Sequence, residues 1–302
     1  MLTRRRFLQL LGTGFLMSAY AAFHVTIVEP MFLQRVKRDR FLVPQWPDGL
    51  TLRIVALADL HACEPWMNND RIGKIVDQAN RLEPDIVVLL GDYLSSMNQT
   101  TRYTKPEEWA PILGRLEAKH GVYAILGNHD WWEDEEAQRR GKGPTLVRQA
   151  FETQGVPVLE NDALRLEKDG FGFWLAGLGD QLAFPPYKSL GRNQWRGLDD
   201  LPGTLAKVET DEPVILLAHE PDIFPKVPDR VSLTLSGHTH GGQVRLFGWS
   251  PIVPSAYKNR YAYGHVVEEG RHLLVSGGLG MSVLPLRFGV RPEINLIEIG
   301  QS

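Results

Sequence analysis

The chain has a single cysteine, Cys63, so no intramolecular disulfide can form and cysteine usage leaves the redox compartment open. It has no excess of basic charge: 33 lysines and arginines stand against 36 aspartates and glutamates, a net of −3. Proteins that grip long nucleic acids carry a basic face, so nuclease-type binding is disfavoured and no nucleic-acid partner is expected. There is no Gly-x-Ser-x-Gly turn, and Cys63 has no independent base, so serine or cysteine nucleophiles lack a supporting constellation. Internal repeats and low-complexity tracts are absent. What remains is 302 residues, 43% apolar and 23% charged, an ordinary composition for a folded globular protein with a full core.

Against that plain background, five short segments carry metal-binding residue types: Asp59-Leu60-His61, Gly91-Asp92, Gly127-Asn128-His129-Asp130, Ala218-His219-Glu220 and Gly237-His238-Thr239-His240. Five of the nine histidines fall inside them. Each histidine comes just after an apolar, strand-like run, where chain leaves a sheet for a loop. Asp59 and His61 can face one ion, Asp92 has two oxygens with which to bridge two, Asn128 offers an amide oxygen, and His219, His238 and His240 offer imidazoles. Seven such side chains are too many for one tetrahedral zinc but suit two ions with shared water. Two ions about 3.5–4 Å apart activate water and neutralise a phosphate undergoing in-line displacement. Glycines 91, 127 and 237 let the backbone turn where ligands converge. Cys63, two residues after His61, reads as a soft ligand, a redox-sensitive thiol or, more plainly, a small buried residue.

The amino terminus is the second informative region. Thr3-Arg4-Arg5-Arg6-Phe7-Leu8-Gln9 opens a mildly apolar stretch running to Val28, and Ala19-Tyr20-Ala21 fits a small-x-small cleavage site. This pattern resembles a twin-arginine export signal, which implies the export machinery as a partner and a membrane-associated or extracytoplasmic location. The stretch is also near the roughly 20 residues that cross a bilayer as a helix, so residues 1–28 read as a signal peptide or a membrane anchor, and a buried N-terminal helix is the plainer alternative. Arg35, Lys37, Arg38 and Arg40 follow, leaving positive charge on both flanks and no orientation from charge alone.

Residues 29–302 read as one domain, because the metal-type segments run from Asp59 to His240. A helix capped by Asn69 or Asp70 carries Ile72, Ile75, Val76, Ala79 and Leu82 on one face, another spans Pro106–Lys119, and strands fall at 52–57, 85–90 and 122–126. Lys168-Asp169-Gly170 reads as a hairpin turn, and later strands lead into His219 and His238. The expected fold is an α/β (α+β) sandwich: two mixed β-sheets packed face to face with flanking helices.

With these blocks in order, the chain resembles the calcineurin-like metallophosphoesterases, whose pattern is D-x-H, G-D, G-N-H-D/E, H and G-H-x-H. Within that family it is similar to bacterial YkuE/YaeI-type phosphoesterases, through the leader, His219-Glu220-Pro221, Gly237 to Gln243, Gly278-Leu279-Gly280 and Pro285-Leu286-Arg287-Phe288. The resemblance implies Asp59, His61, Asp92 and His240 on a first metal, and Asp92, Asn128, His219 and His238 on a second. It implies His129 as general acid or electrostatic stabiliser, Asp130 orienting its ring, and a bridging hydroxide as nucleophile. Unlike purple acid phosphatases, the chain has Ser95 three residues after Asp92 and a histidine in the first block. That implies two divalent ions (Mn, Zn or Fe) rather than an iron–tyrosinate centre; Tyr93 is expected to pack.

The expected activity is a metal-dependent phosphoric ester hydrolase cleaving a phosphodiester or pyrophosphate bond, acting as a monomer on a membrane-associated or lipid-linked substrate. Relatives that cleave UDP-diacylglucosamine in lipid A synthesis suggest one alternative, on the cytoplasmic face. A non-catalytic scaffold, as in a retromer subunit, is another, though here no ligand is missing. Arg287 reads as a phosphate contact or as an ion pair with Glu293. Trp66, Trp131 and Trp132 read as a rim that touches substrate or bilayer, or as packing, and Gly241 and Gly242 as a phosphate approach or a turn. His24, His120, His265 and His272 match no block, and Glu133 to Glu136 read as a solvated helix start.

Overall fold

Strand β2 (Leu52–Leu57, after β1, Arg35–Phe41) turns Ile54 and Ala56 to one face and Val55 and Leu57 to the other, and all four are buried. A strand apolar on both faces belongs inside a layered sheet. The computed structural model describes residues 3–300, so residues 1–2 of the expected leader and 301–302 of the expected domain lie outside it. The remaining strands are β3 (Cys63–Glu64), β4 (Ile86–Leu90), β5 (Arg102–Tyr103), β6 (Val122–Ile125), β7 (Asp162–Lys168), β8 (Phe171–Gly177), β9 (Val214–Leu217), β10 (Val231–Ser236), β11 (Gly264–Glu268), β12 (Arg271–Val275) and β13 (Glu293–Ile299).

They form a five-stranded sheet in the order β1-β13-β2-β4-β6, a six-stranded sheet in the order β11-β12-β10-β9-β8-β7, and the small β3-β5 ribbon. Both large sheets are mixed: β2, β4 and β6 are parallel neighbours while β13 runs against β2, and β8, β9, β10 and β12 are parallel while β7 and β11 run against them. The sheets pack through Ile54, Val88 and Ile297 on one side and Leu175, Leu217 and Leu235 on the other. This is the expected sandwich.

The outer face of the first sheet is covered by helices. The amino-terminal α1 (Arg4–Phe23) and α2 (Glu29–Phe32) come first, and α3 (Asn69–Asn80), α4 (Pro106–Leu113), α5 (Asn128–Trp132), α6 (Glu135–Arg140) and α7 (Leu146–Thr153) follow. Ile72, Ile75, Val76 and Ala79 of α3 are buried against Val55 and Val87, as their spacing predicts. The N-cap is Asn68, one residue earlier than expected, because its side chain accepts the Arg71 N–H at 3.0 Å. Helix α4 stops at Leu113, short of Lys119, with Gly114 as its cap. The 169–170 turn joins β7 and β8 as expected, with both residues at positive φ.

Helix α1 is exposed along its whole length, whereas the segment after it is tied down. The Val25 carbonyl accepts the Arg287 N–H at 2.8 Å, the Thr26 carbonyl accepts Trp66 Nε1–H at 3.0 Å, and Pro30 accepts from Arg71 at 2.6 Å.

Candidate metal centre and its cleft

Each ligand-type segment follows the carboxyl end of a strand: Asp59 after β2, Asp92 after β4, Asn128 after β6, His219 after β9, and His238 after β10. Because these strands are parallel neighbours within their sheets, their ends open on one side, and all seven expected ligand side chains are buried together there. His61 Nε2 lies 3.0 Å from His240 Nε2 and 3.6 Å from Asp92 Oδ2, and His240 Nε2 lies 3.9 Å from Asp59 Oδ1. His219 Nε2 lies 3.1 Å from the same Asp92 oxygen, and His238 Nδ1 is 2.8 Å from Asn128 Oδ1. Asp59, His61 and His240 thus form one group and Asp92, His219 and His238 another, with His61 reaching Asp92 between them.

The backbone is bent to make this convergence. Asp59, His61, Asp92, His238 and His240 all have φ between 47° and 67°, a region that costs a non-glycine residue about 1–3 kcal/mol and persists where the surroundings over-determine it. Gly91 and Gly127 are glycines for lack of space. A Cβ on Gly91 would lie 2.7 Å from His219 Nδ1, and one on Gly127 would lie 2.6 Å from His219 Cε1 and collide with Asp92 Oδ1.

Ring orientation is fixed from behind. His61 Nδ1 is 2.8 Å from the Leu94 carbonyl and His219 Nδ1 is 2.7 Å from that of Leu90. Each Nδ1 donates its proton there, leaving Nε2 to face the centre, the arrangement that metal-binding histidines use. Burial, the main influence, brings His61 down to about 3 and, with His61 and Arg287, holds His240 well below the usual range. Burial also pushes Asp59 up to about 7, and its Oδ2 is buried with no hydrogen-bond partner among the described residues. For Asp92 burial opposes the charge, but His219 and His129 outweigh it and hold the carboxyl low. Burial lowers His219 in turn, and the attraction of Asp92 more than reverses it. Neutral imidazole lone pairs and carboxylates crowded in a dry site favour cations among them, so the donor set fits the expected metals.

His129 Nε2 lies 3.3 Å from Ser282 Oγ and its Nδ1 3.5 Å from Glu133 Oε1, while its ring meets His61 edge-on at 4.9 Å. Burial lowers its pKa, but Asp92 and Glu133 outweigh burial and leave it raised. The expected contact of Asp130 with this ring is corrected. Asp130 Oδ2 accepts the Asp92 and Gly127 N–H groups, each at 2.9 Å, and Oδ1 accepts those of Tyr93 at 2.8 Å and Leu94 at 3.3 Å. Asp130 therefore staples the second block to the third, and the side chain beside His129 is Glu133.

Two expected substrate contacts are corrected as well. Arg287 is fully buried and donates to the carbonyls of Gly277, Gly280 and Val290, with Nη2 3.3 Å from His240 Nδ1. Glu293 pairs instead with Arg35 at 3.0 Å. Trp131 is buried against Phe184, because α5 turns it into the core, and Trp132 lines the cleft, its ring 5.1 Å from that of His129. Trp66 and Cys63 pack with Met97 and Met281, and Tyr93 packs on Trp109 and Phe151 as expected. Asp134, in the acidic run, is a buried cap rather than a solvated residue, accepting the Ala137 and Leu146 N–H groups, each at 2.8 Å.

A cleft of 430 Å³ opens over Asp92, Asn128, His129, His238 and His240. Its walls are aliphatic: Val244, Pro251, Ile252, Val283, Leu284 and Leu286. Nothing in the sequence marks these loop residues as a wall. Asp180 was also missed: it clusters with Glu220 and His219, and burial and then Glu220 hold its carboxyl well above the usual range. Its signal was readable, since Gly179-Asp180 follows β8 as Gly91-Asp92 follows β4.

The family described as calcineurin-like phosphoesterase matches residues 52–242. The uncharacterized metallophosphoesterase YkuE of Bacillus subtilis is 30% identical over 306 residues, 99% of this chain and 98% of its own. The phosphodiesterase YaeI of Escherichia coli is 28% identical, over 99% of this chain and 100% of its own. A transmembrane protein with metallophosphoesterase domain from Danio rerio is 30% identical over 86% of this chain, which spans 56% of the fish protein.

Proposed function

This chain belongs to the calcineurin-like phosphoesterase family and is a metal-dependent phosphoester hydrolase, and from that premise we propose that it uses two metal ions to cleave a phosphodiester or pyrophosphate bond in an amphiphilic, lipid-linked substrate. Asp59, His61, Asp92 and His240 would hold one divalent ion and Asp92, Asn128, His219 and His238 the other. Bound there, the pair supplies an activated water and neutralises phosphoryl charge. The chain's own residues do the rest. Asp92 shares its carboxylate between the sets, and the Leu90 and Leu94 carbonyls hold His219 and His61 in the ligating tautomer. His129, protonated beside Asp92 and Glu133, gives its proton to the leaving oxygen. Asp130 positions the Asp92 and Asn128 loops, and Arg287 ties the Gly277, Gly280 and Val290 carbonyls together behind His240.

The substrate class rests on one observation: the cleft joins the buried ligand groups to an aliphatic wall. A phosphate seats deep, and an apolar leaving group or tail lies along Val244, Ile252 and Leu284. The amino-terminal helix, exposed and long and apolar enough to cross a membrane, anchors the domain beside such a substrate, and the twin-arginine-like start is read as its route of export. A complete ligand set weighs against a non-catalytic scaffold.

The test is turnover of metal-reconstituted enzyme on diesters of rising alkyl length, with a nucleotide-sugar-lipid pyrophosphate in parallel. Each buried methylene is worth about 0.8 kcal/mol, so kcat/KM should climb several-fold per CH2 until the wall is covered. A profile flat with tail length, with preference for a polar nucleotide diester, would refute the amphiphile.

A further inference from the structure

The cleft's outer rim carries apolar side chains that are largely open to solvent. Phe247 is 107% exposed, Ile252 77%, Val283 70% and Trp249 58%, and Leu246 and Leu284 are also exposed. They come from two loops, 244–252 and 283–288, which are joined: Arg245 N–H donates to the Phe288 carbonyl and Phe288 N–H to the Gln243 carbonyl, each at 2.8 Å, and Gln243 Nε2 donates to the Leu284 carbonyl at 3.2 Å. The Leu246–Trp249 turn, closed by mutual backbone bonds of 2.8 and 2.9 Å, holds Phe247 at its tip. This is a built apolar prong rather than scattered exposure, and contiguous patches of this kind mark a binding surface.

Its occupant follows from what lies beside it. The second loop is bonded directly to the base of the amino-terminal helix, through Arg287 N–H and the Val25 carbonyl. That helix is exposed from end to end and is, by length and composition, apolar enough to cross a membrane. The base of that helix is thus stitched to the prong, with Trp66 and Arg71 holding the joint from the other side. We propose that the loops 244–252 and 283–288 dip Phe247, Trp249, Ile252, Val283 and Leu284 into the bilayer surface, so that the metal cleft opens onto lipid rather than onto water. Tryptophan and phenylalanine at such a tip suit the headgroup–acyl boundary. The inference rests on the anchoring role of the helix, and not on which phosphoester is cleaved.

The test uses the full chain in vesicles of phosphatidylethanolamine and phosphatidylglycerol. Cys63, the single native cysteine, is buried, so a Phe247→Cys variant takes one environment-sensitive fluorophore, as do Phe15→Cys in the helix and Val267→Cys on the edge strand β11. Dibrominated acyl chains should quench the probe at 247 and leave aqueous iodide without effect on it, while the probe at 267 shows the reverse. The probe at 15 reports separately whether the helix is in lipid, so failure of the anchor and failure of the prong are told apart. A probe at 247 as open to iodide as that at 267 overturns the proposal, whatever position 15 reads. So does one shielded from both quenchers, which would mean that a second copy of the chain covers the face. Phe247 and Trp249 lie outside the cleft lining, so Phe247→Ser with Trp249→Ser should keep turnover of a water-soluble nitrophenyl diester and lose it on the same vesicles' lipid-embedded diesters. Equal loss on both would also overturn it.

Discussion

Replacing Asp130 with asparagine separates two accounts of the third block. The carboxylate accepts four backbone N–H groups, two on each oxygen: Asp92 and Gly127 at 2.9 Å on Oδ2, and Tyr93 at 2.8 Å with Leu94 at 3.3 Å on Oδ1. Asparagine keeps one oxygen and must aim its NH2 at the other two donors. Hydrogen bonds to a charged acceptor contribute about 1.5–3 kcal/mol each, so losing two costs about 3–6 kcal/mol before any donor–donor repulsion. That is a large part of the roughly 5–15 kcal/mol that holds a domain folded. The freed amides belong to the loops carrying Asp92 and Asn128, so metal retention should fall with stability. Urea unfolding of metal-loaded Asp130→Asn at pH 8, with bound metal counted in parallel, should show both losses. Stability within about 0.5 kcal/mol of the parent, as for an uninvolved surface change, with only a shifted pH–rate profile, would refute the staple and return Asp130 to the ring of His129.

Gly127→Ala places a methyl 2.6 Å from His219 Cε1 and against Asp92 Oδ1; displacing those groups by about 1 Å should cost around 10²-fold in turnover, and parental activity would show that the contact is slack. His129→Gln should lower turnover of an alkyl diester by about 10²–10⁴-fold but hurt a nitrophenyl ester far less, since that leaving group needs no proton; equal losses on both would remove His129 as the acid. Metal removal should reverse the dependence of stability on pH. Asp59 is pushed up to about 7 by burial, Asp130 to about 7 by burial and Asp92, and His219 is raised by Asp92 against burial. Below about pH 6.5 the neutral His61 and His240 hold fewer protons than in the unfolded chain and offset Asp59 and Asp130; above it those imidazoles are neutral in both states, the metal-free fold holds more protons through Asp59, Asp130 and His219, and its stability falls as pH rises. Metal-loaded protein should gain over the same range as its ligands deprotonate. Melting temperatures that run parallel with and without chelator would contradict this.

The layers and the ligands were legible for one reason: each ligand block follows an apolar strand, and strand ends fix position more firmly than contacts within loops do. Asp59, Asp92, Asn128, His219 and His238 needed only the correct strand order to meet. What was not legible depended on the packing of loops. Arg287 carries the residue type of a phosphate clamp, but three carbonyls and His240 absorb it in the core. Trp131 and Trp132 are adjacent, and only the rotation of α5 decides that the first is core and the second cleft. Asp130 sits in the position of a ring-orienting acid, yet the backbone N–H groups of Asp92, Tyr93, Leu94 and Gly127 take its oxygens instead. The aliphatic wall and the prong at Phe247 come from segments with no periodicity, so nothing local set them apart from ordinary turns.

The central claim is that two metal sites share Asp92. Elemental analysis of the purified, metal-reconstituted chain should find two divalent ions per molecule. His61→Ala and Asn128→Ala should each retain one of them, and Asp92→Ala should fall below either. A parent that saturates at a single ion, or an Asp92→Ala variant that keeps as much metal as His61→Ala, would contradict the shared bridge.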